Sequence, residues 1–339
     1  MKIKTKGSGF IVLSLILLFT FIIAMAMGSE SIPLTHTIRM VFSKIPGLQS
    51  VIDTSMVTRA HEHILFSLRL PRVIAAMLIG MGLSSSGLVF QTTLQNPLAD
   101  PYILGVSAGA AAGATLSILF PLPFNSLALF AFLGALLTIL FVYFIASRLG
   151  SLRSTTLVLT GIAASLFLTA LVSLLIAINK DMLDRIVFWT MGSVATVDFS
   201  QLGLVVIPMA LGMLTFFFFA KDLNLFTLGE EVAMTTGSNV PRVRKILLFV
   251  ASMVCAMAVC ISGVIGFVGL VIPHGIRLLF GNNHYRLIPA TMLGGASFLI
   301  LCDLISRTAL APTQLPLGVV TALLGSPYFI FLLLRQGAK

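Results

Sequence analysis

The chain has 339 residues, 58% of them hydrophobic and only 9% charged, with a net charge of +10. That is too little charge to cover a soluble domain of this size, and the apolar runs are continuous rather than alternating, which excludes a β-barrel. The basic excess comes without a basic run interleaved with aromatics, so it marks loops beside an anionic lipid bilayer and no nucleic acid is expected as a partner.

Apolar runs recur along the whole length. They predict about ten transmembrane helices, at roughly 10–28, 73–91, 103–120, 126–146, 156–178, 202–220, 245–264, 266–280, 288–306 and 317–334. The expected fold is all-α, a polytopic membrane protein forming one transmembrane domain over residues 1–339. Residues 1–28 have the basic start and small residues of a signal peptide, but their apolar core is long for one and the topology needs the span. Lys2, Lys4 and Lys6 put the N-terminus in the cytoplasm. With ten spans the inner loops and termini also gather Arg148, Arg153, Lys221, Arg242, Arg244, Lys245, Arg277, Arg286, Arg335 and Lys339. That places 13 of the 21 basic residues inside and 8 outside, with both termini cytoplasmic.

Leu68–Ala114 is the first segment with chemistry beyond spanning. Pro71 belongs in a first helical turn. Arg69 and Arg72 are three apart and are expected on one helix face, at the outer end of the second span where the positive-inside bias disfavours them. Asn96-Pro97-Leu98-Ala99-Asp100-Pro101 reads as a cytoplasmic turn. Gly105, Gly109 and Gly113 follow at four-residue spacing, which points to close helix packing.

The second segment is Thr227–Lys245, where charge crowds into the otherwise apolar chain. Thr227-Leu228-Gly229-Glu230 fits a capping box, with Glu230 and Glu231 at the positive end of a short helix that stops at Gly237. Ser238 and Asn239 then cap a second helix with Pro241 in its first turn. The reading is a compact cytoplasmic helix–turn–helix suited to docking another protein. Val232, Ala233 and Met234 offer too small an apolar face for a helix lying on lipid. Lys245–Phe280 is one apolar run too long for a single untilted span, and Gly263, Gly266, Gly269 and Pro273 are where it should fold back.

The third segment is Leu301–Ser326. Asp303 and Arg307 are i,i+4, acid before base, and Arg307 falls on the outer side with Arg69 and Arg72. Asp303 is the only acid well inside an apolar stretch, whereas ion-driven carriers place ionisable groups near the midplane. Uphill movement of a solute would then draw its energy from a partner. No Walker A motif, nucleophile elbow, H-E-x-x-H or C-x-x-C occurs. Cys255, Cys260 and Cys302 read as small buried hydrophobes, and the five histidines are scattered. An autonomous channel or secondary transporter is the rival reading from another class.

The chain resembles the FecCD family, permease subunits of ABC importers for iron–siderophores, haem and cobalamin, with a type II importer fold. The matching strings are RLPR at 69–72, NPLADPYILGVSAGAA at 96–111, FWTMGS at 188–193, LGEEVA at 228–233, GFVGLVIPHGIRLLFG at 266–281 and DLISRTALAPTQLPLGVVTALLGSPYF at 303–329. The resemblance implies a multi-pass protein of a bacterial or archaeal cytoplasmic membrane. It implies a second copy of the chain, two ATP-binding-cassette ATPase subunits that hold ATP and Mg, and an extracytoplasmic substrate-binding protein. No cofactor and no enzymatic site are expected in this chain.

By the same resemblance the ATPase-coupling helices are 227–242, carrying Gly229, Glu230, Glu231, Ala233, Gly237 and Arg242. Arg69, Arg72 and Arg307 match the arginines that meet the binding protein's glutamates. Ser154, Thr155 and Thr156 match the cytoplasmic gate, and Asn96 of the inner turn is counted with them. Met234-Thr235-Thr236 departs from the more basic or bulkier pattern of the family. Ferric siderophore is the first choice of cargo, with haem, cobalamin or molybdate as alternatives.

Overall fold

The computed structural model describes residues 6–28, 30, 32–43, 58–120, 126–149 and 154–337. Lys2, Lys4, Arg153 and Lys339 of the charge argument lie outside them. Among the described residues the only regular structure is helical. The order is α1 (Lys6–Ala26), α2 (Leu34–Ser43), α3 (Arg59–His63), a π-helical turn (Ile64–Arg69), α4 (Leu70–Thr93), α5 (Val106–Leu119), α6 (Ser126–Arg148) and α7 (Ser154–Ile178). A 3₁₀ turn (Lys180–Met182) leads to α8 (Leu183–Thr190), α9 (Phe199–Phe218), α10 (Ala220–Phe226), α11 (Glu230–Thr235) and α12 (Val240–Ser262). The chain ends with α13 (Val268–Phe280), α14 (His284–Thr308) and α15 (Leu317–Gly337).

Each of the ten expected spans has its helix. Seven are long and apolar enough to cross a membrane, and α5, α13 and α15 are shorter apolar helices. The Lys245–Phe280 run does divide, at Gly263 and Phe267, both with positive φ (66° and 68°). A residue bearing a Cβ at 263 would also run into the Trp189 carbonyl, so glycine is required there twice over. Helix α12 begins at Val240, so the helix that follows the short unit and has Pro241 in its first turn runs on into the seventh span without a break, as expected.

The bundle is organised around α4, most of whose residues are buried. In lipid, helices gain little from excluding water, so close van der Waals packing and interhelical hydrogen bonds hold them. Helix α4 uses both. Gly80 faces Gly295 of α14 so closely that a Cβ on either would overlap the other's carbonyl. One turn along, Ser84 Oγ donates to the Thr291 carbonyl at 3.0 Å. Gln91 Nε2 reaches the Gly269 and Leu270 carbonyls of α13, each at 3.2 Å.

Gly109 and Gly113 pack as their spacing predicts, on the Gly134 and Phe130 carbonyls of α6. Gly105 has a further role: it is the left-handed N-cap of α5, with φ 81°, and a Cβ there would also run into Thr138 of α6. Leu137, Phe141, Phe144, Leu166, Phe167, Ile207 and Phe218, on α6, α7 and α9, are exposed on the outside of the subunit. Helix α9 opens on Asp198, whose carboxylate accepts from Gln201 N–H at 2.9 Å and Ser200 Oγ at 2.7 Å. The Gln201 backbone N–H in particular holds that acid below the usual carboxylate range. The three cysteines are buried, as expected of small hydrophobes.

Candidate coupling unit and charged cluster

Helices α10 and α11 and the first turn of α12 form one unit at one end of the bundle. Its core is Leu223, Phe226, Ala233 and Val240, all buried. The capping box is corrected. Gly229, with φ 107°, is the N-cap of α11 and provides no side-chain bond. Thr227 instead closes α10, its hydroxyl donating to the Asn224 carbonyl at 2.6 Å. Glu230 is thereby turned away from Thr227 and pairs with the buried Arg244 of α12. The left-handed turn at Gly229 redirects the chain, and T-x-x-E spacing cannot act across it.

The rest of the unit follows its sequence signals. Gly237 (φ 87°) ends the turn after α11, and the Ser238 N–H returns to the Ala233 carbonyl at 3.1 Å. Ser238 Oγ donates to Asp222 Oδ1 at 2.6 Å, tying the turn to α10. Asn239 caps α12, accepting from the Arg242 N–H at 3.3 Å, with Pro241 in the first turn. Leu228, Glu231, Val232, Met234 and Arg242 are among the residues that remain exposed. A cavity of about 480 Å³ opens beside the unit, lined by Gln91, Gln95, Pro97, Phe226 and Arg277 among others.

At the opposite end, Arg69, Arg72 and Arg307 come together, and all three are buried (5%, 7% and 3% exposed). Arg72 Nε binds Asp303 Oδ1 at 2.8 Å, and Arg72 Nη1 binds Gln314 Oε1 at 2.9 Å. Arg307 Nε lies 3.5 Å from Asp303 Oδ2, the i,i+4 pair read from the sequence. Its Nη2 donates to the Ala24 carbonyl at 2.5 Å. Arg69 donates to the Met25 and Ala26 carbonyls at 2.9 and 2.7 Å and also to the Glu30 carbonyl.

Asp303 therefore faces two guanidinium groups, those of Arg72 and Arg307, while Arg69 turns to the carbonyl end of α1 and to Glu30. Those α1 carbonyls lack intrahelical partners, so the arginines also satisfy them. Arg69 and Arg72 do not act as a same-face pair. Pro71 has no N–H to give Ser67, and the chain meets it with the π-helical turn ending at Arg69. That turn swings Arg69 to α1 while Arg72 faces α14.

Residues 16–335 match the FecCD transport family. The chain belongs to that family. It is 40% identical over 329 residues to the uncharacterized ABC transporter permease protein YvrB of Bacillus subtilis, covering 94% of this chain and 90% of that one. It is 41% identical over 285 residues to the hemin transport system permease protein HmuU of Yersinia pestis, covering 81% and 84%. A solved structure described as a metal-chelate type ABC transporter in an inward-facing conformation superposes with a TM-score of 0.83. It is 34% identical and covers 96% of this chain and 98% of its own. This FecCD chain is accordingly a multi-pass permease subunit of an ABC importer.

The residues that the resemblance assigned to a gate stand elsewhere. Ser154, Thr155 and Thr156 open α7, which packs on α5 and α6; Ser154 and Thr156 are half-buried and Thr155 is exposed. Asn96 is exposed, and its Oδ1 accepts the Leu98 N–H at 2.9 Å, fixing the turn between α4 and α5. Deeper in the FecCD bundle, a cavity of about 390 Å³ between α5, α7 and α8 is lined by Ser107, Ala111, Ser165, Thr169 and Thr190 among others. Sequence reasoning passed over Gln314, Asn224, His284 and Thr92. Their partners are tens to hundreds of residues away, and no local spacing marks them.

Proposed function

We propose that this FecCD subunit carries a metal chelate, ferric siderophore first among the candidates. It would work as a homodimer with two ATPase subunits, which bind ATP and Mg, and an extracytoplasmic binding protein. The observation that carries the reading is the pinned α10–α11 unit, a water-facing knob on an otherwise apolar bundle. Its exposed Glu231, Val232 and Met234 would meet the ATPase, placing this end and both termini in the cytoplasm of a bacterial or archaeal cell.

The arginine cluster then organises the outer mouth. Its guanidinium groups are committed internally, so the cluster shapes the surface on which the binding protein docks. Direct capture of partner carboxylates by Arg69 would require the chain after α1 to give way. The cavity lining supports the cargo class: hydroxyl and methyl groups suit a molecule that brings its own ligands to the metal. Haem, cobalamin and molybdate are the competing cargoes.

The test is uptake by proteoliposomes containing the assembled complex, with the binding protein presented from outside. ATP-dependent accumulation of a ferric siderophore supports the proposal. Accumulation of haem, cobalamin or molybdate alone overturns the cargo. Uptake driven by a proton or sodium gradient without ATP overturns the assembly.

A further inference from the structure

His284 is fully buried at the first position of α14 and joins three helices. Its backbone N–H donates to Asn224 Oδ1 of α10 at 2.8 Å, so that atom is an acceptor. The ring Nδ1 lies 2.9 Å from the same oxygen and must therefore carry a proton. In the neutral imidazole Nε2 is then the acceptor, and it receives the Thr92 hydroxyl of α4 at 2.9 Å. Gln95 Nε2, just beyond α4, adds a bond to the Phe226 carbonyl of α10 at 3.1 Å. Asn224 thus caps α14 from another helix, satisfying one of the N–H groups that a helix start leaves open.

Helices α4 and α14 both run from this joint to the arginine cluster. They are locked at one end by Thr92–His284, in the middle by Ser84–Thr291 and the Gly80–Gly295 approach, and at the other end by Arg72–Asp303. With 25 residues, α14 reaches about 37 Å. We propose that His284 is a positioning residue for transport, the joint through which the α10–α11 unit moves α4 and α14 as one body. The inference rests on the ATPase docking at that unit.

The experiment measures ATP hydrolysed per chelate imported in the reconstituted complex, alongside subunit stoichiometry and thermal unfolding. His284→Asn keeps a donor near the Nδ1 position. His284→Gln moves its amide to the Nε2 position and loses the ring contact to Asn224. Thr92→Val keeps the shape and removes the α4 link. His284→Gln and Asn224→Ala should each raise the ATP cost per import about tenfold, Thr92→Val should raise it by less, and His284→Asn should restore most of the coupling.

If uptake and ATPase activity fall together at an unchanged ratio, His284 is merely structural and the proposal fails. An unchanged ratio with normal uptake overturns it as well. If the wild-type chain fails to bind an ATPase at all, the docking reading fails instead, and the joint falls with it.

Discussion

Asp303→Ala is expected to destabilise the protein by about 3–5 kcal/mol, because it strands buried charge. Asp303 is 1% exposed and is the carboxylate between Arg72 and Arg307. Its removal leaves Arg72 and Arg307 buried without a paired carboxylate, with Gln314 and the Ala24 carbonyl as their remaining hydrogen-bond partners. Arg72 cannot reach solvent without opening the contact between α4 and α14. The double variant Arg72→Met, Asp303→Leu should recover only the part of the loss that comes from Arg72, because Arg307 stays buried without its carboxylate. Thermal unfolding of the purified permease in nanodiscs reads both. A single variant as stable as wild type would show that the cluster does not hold α1, α4 and α14 together.

The second large effect is expected at the α10–α11 unit. Val232→Glu with Met234→Glu should weaken ATPase binding by more than about tenfold, since apolar anchors at the centre of an interface carry most of its energy. Val232 and Met234 are 41% and 51% exposed in the isolated subunit, so the fold loses little internal packing. Thermal unfolding of the permease alone should be unchanged while pull-down of the ATPase is lost. Retained ATPase binding would move the docking surface away from α11. Reversal of Glu230 is a poorer probe, because it breaks the pair with Arg244 inside the unit.

The spans were legible in the sequence because lipid imposes a length and polarity rule on each one separately. The break near Gly263 was legible for a related reason: glycine within an apolar run signals a reversal. The short helices α2, α3, α8 and α10 escaped, being brief and only partly apolar.

At the sites, two signals within a single helix hold, whereas those that depend on neighbouring elements or on special backbone do not. Asp303 with Arg307 and Asn239 with Arg242 follow from spacing within one helix. The Glu230–Arg244 pair defeats a capping rule that assumes ordinary backbone at Gly229. Arg69 and Arg72 defeat the i,i+3 rule because Pro71 widens the preceding turn. The partners of Arg69 are main-chain carbonyls of α1, which carry no residue signature at all. His284 gave no signal because its two side-chain partners come from α4 and α10.

The central claim is that the α10–α11 unit carries the ATPase, and cysteine cross-linking tests it most directly. The native cysteines are all buried, so Glu231→Cys would present the accessible thiol. Asp184→Cys, on exposed α8, serves as the comparison. In the assembled transporter, a short bifunctional reagent should join position 231 to the ATPase subunit and leave position 184 unlinked to it. Cross-linking of the ATPase at 184 and not at 231 would contradict both the docking surface and the orientation of the chain in the membrane.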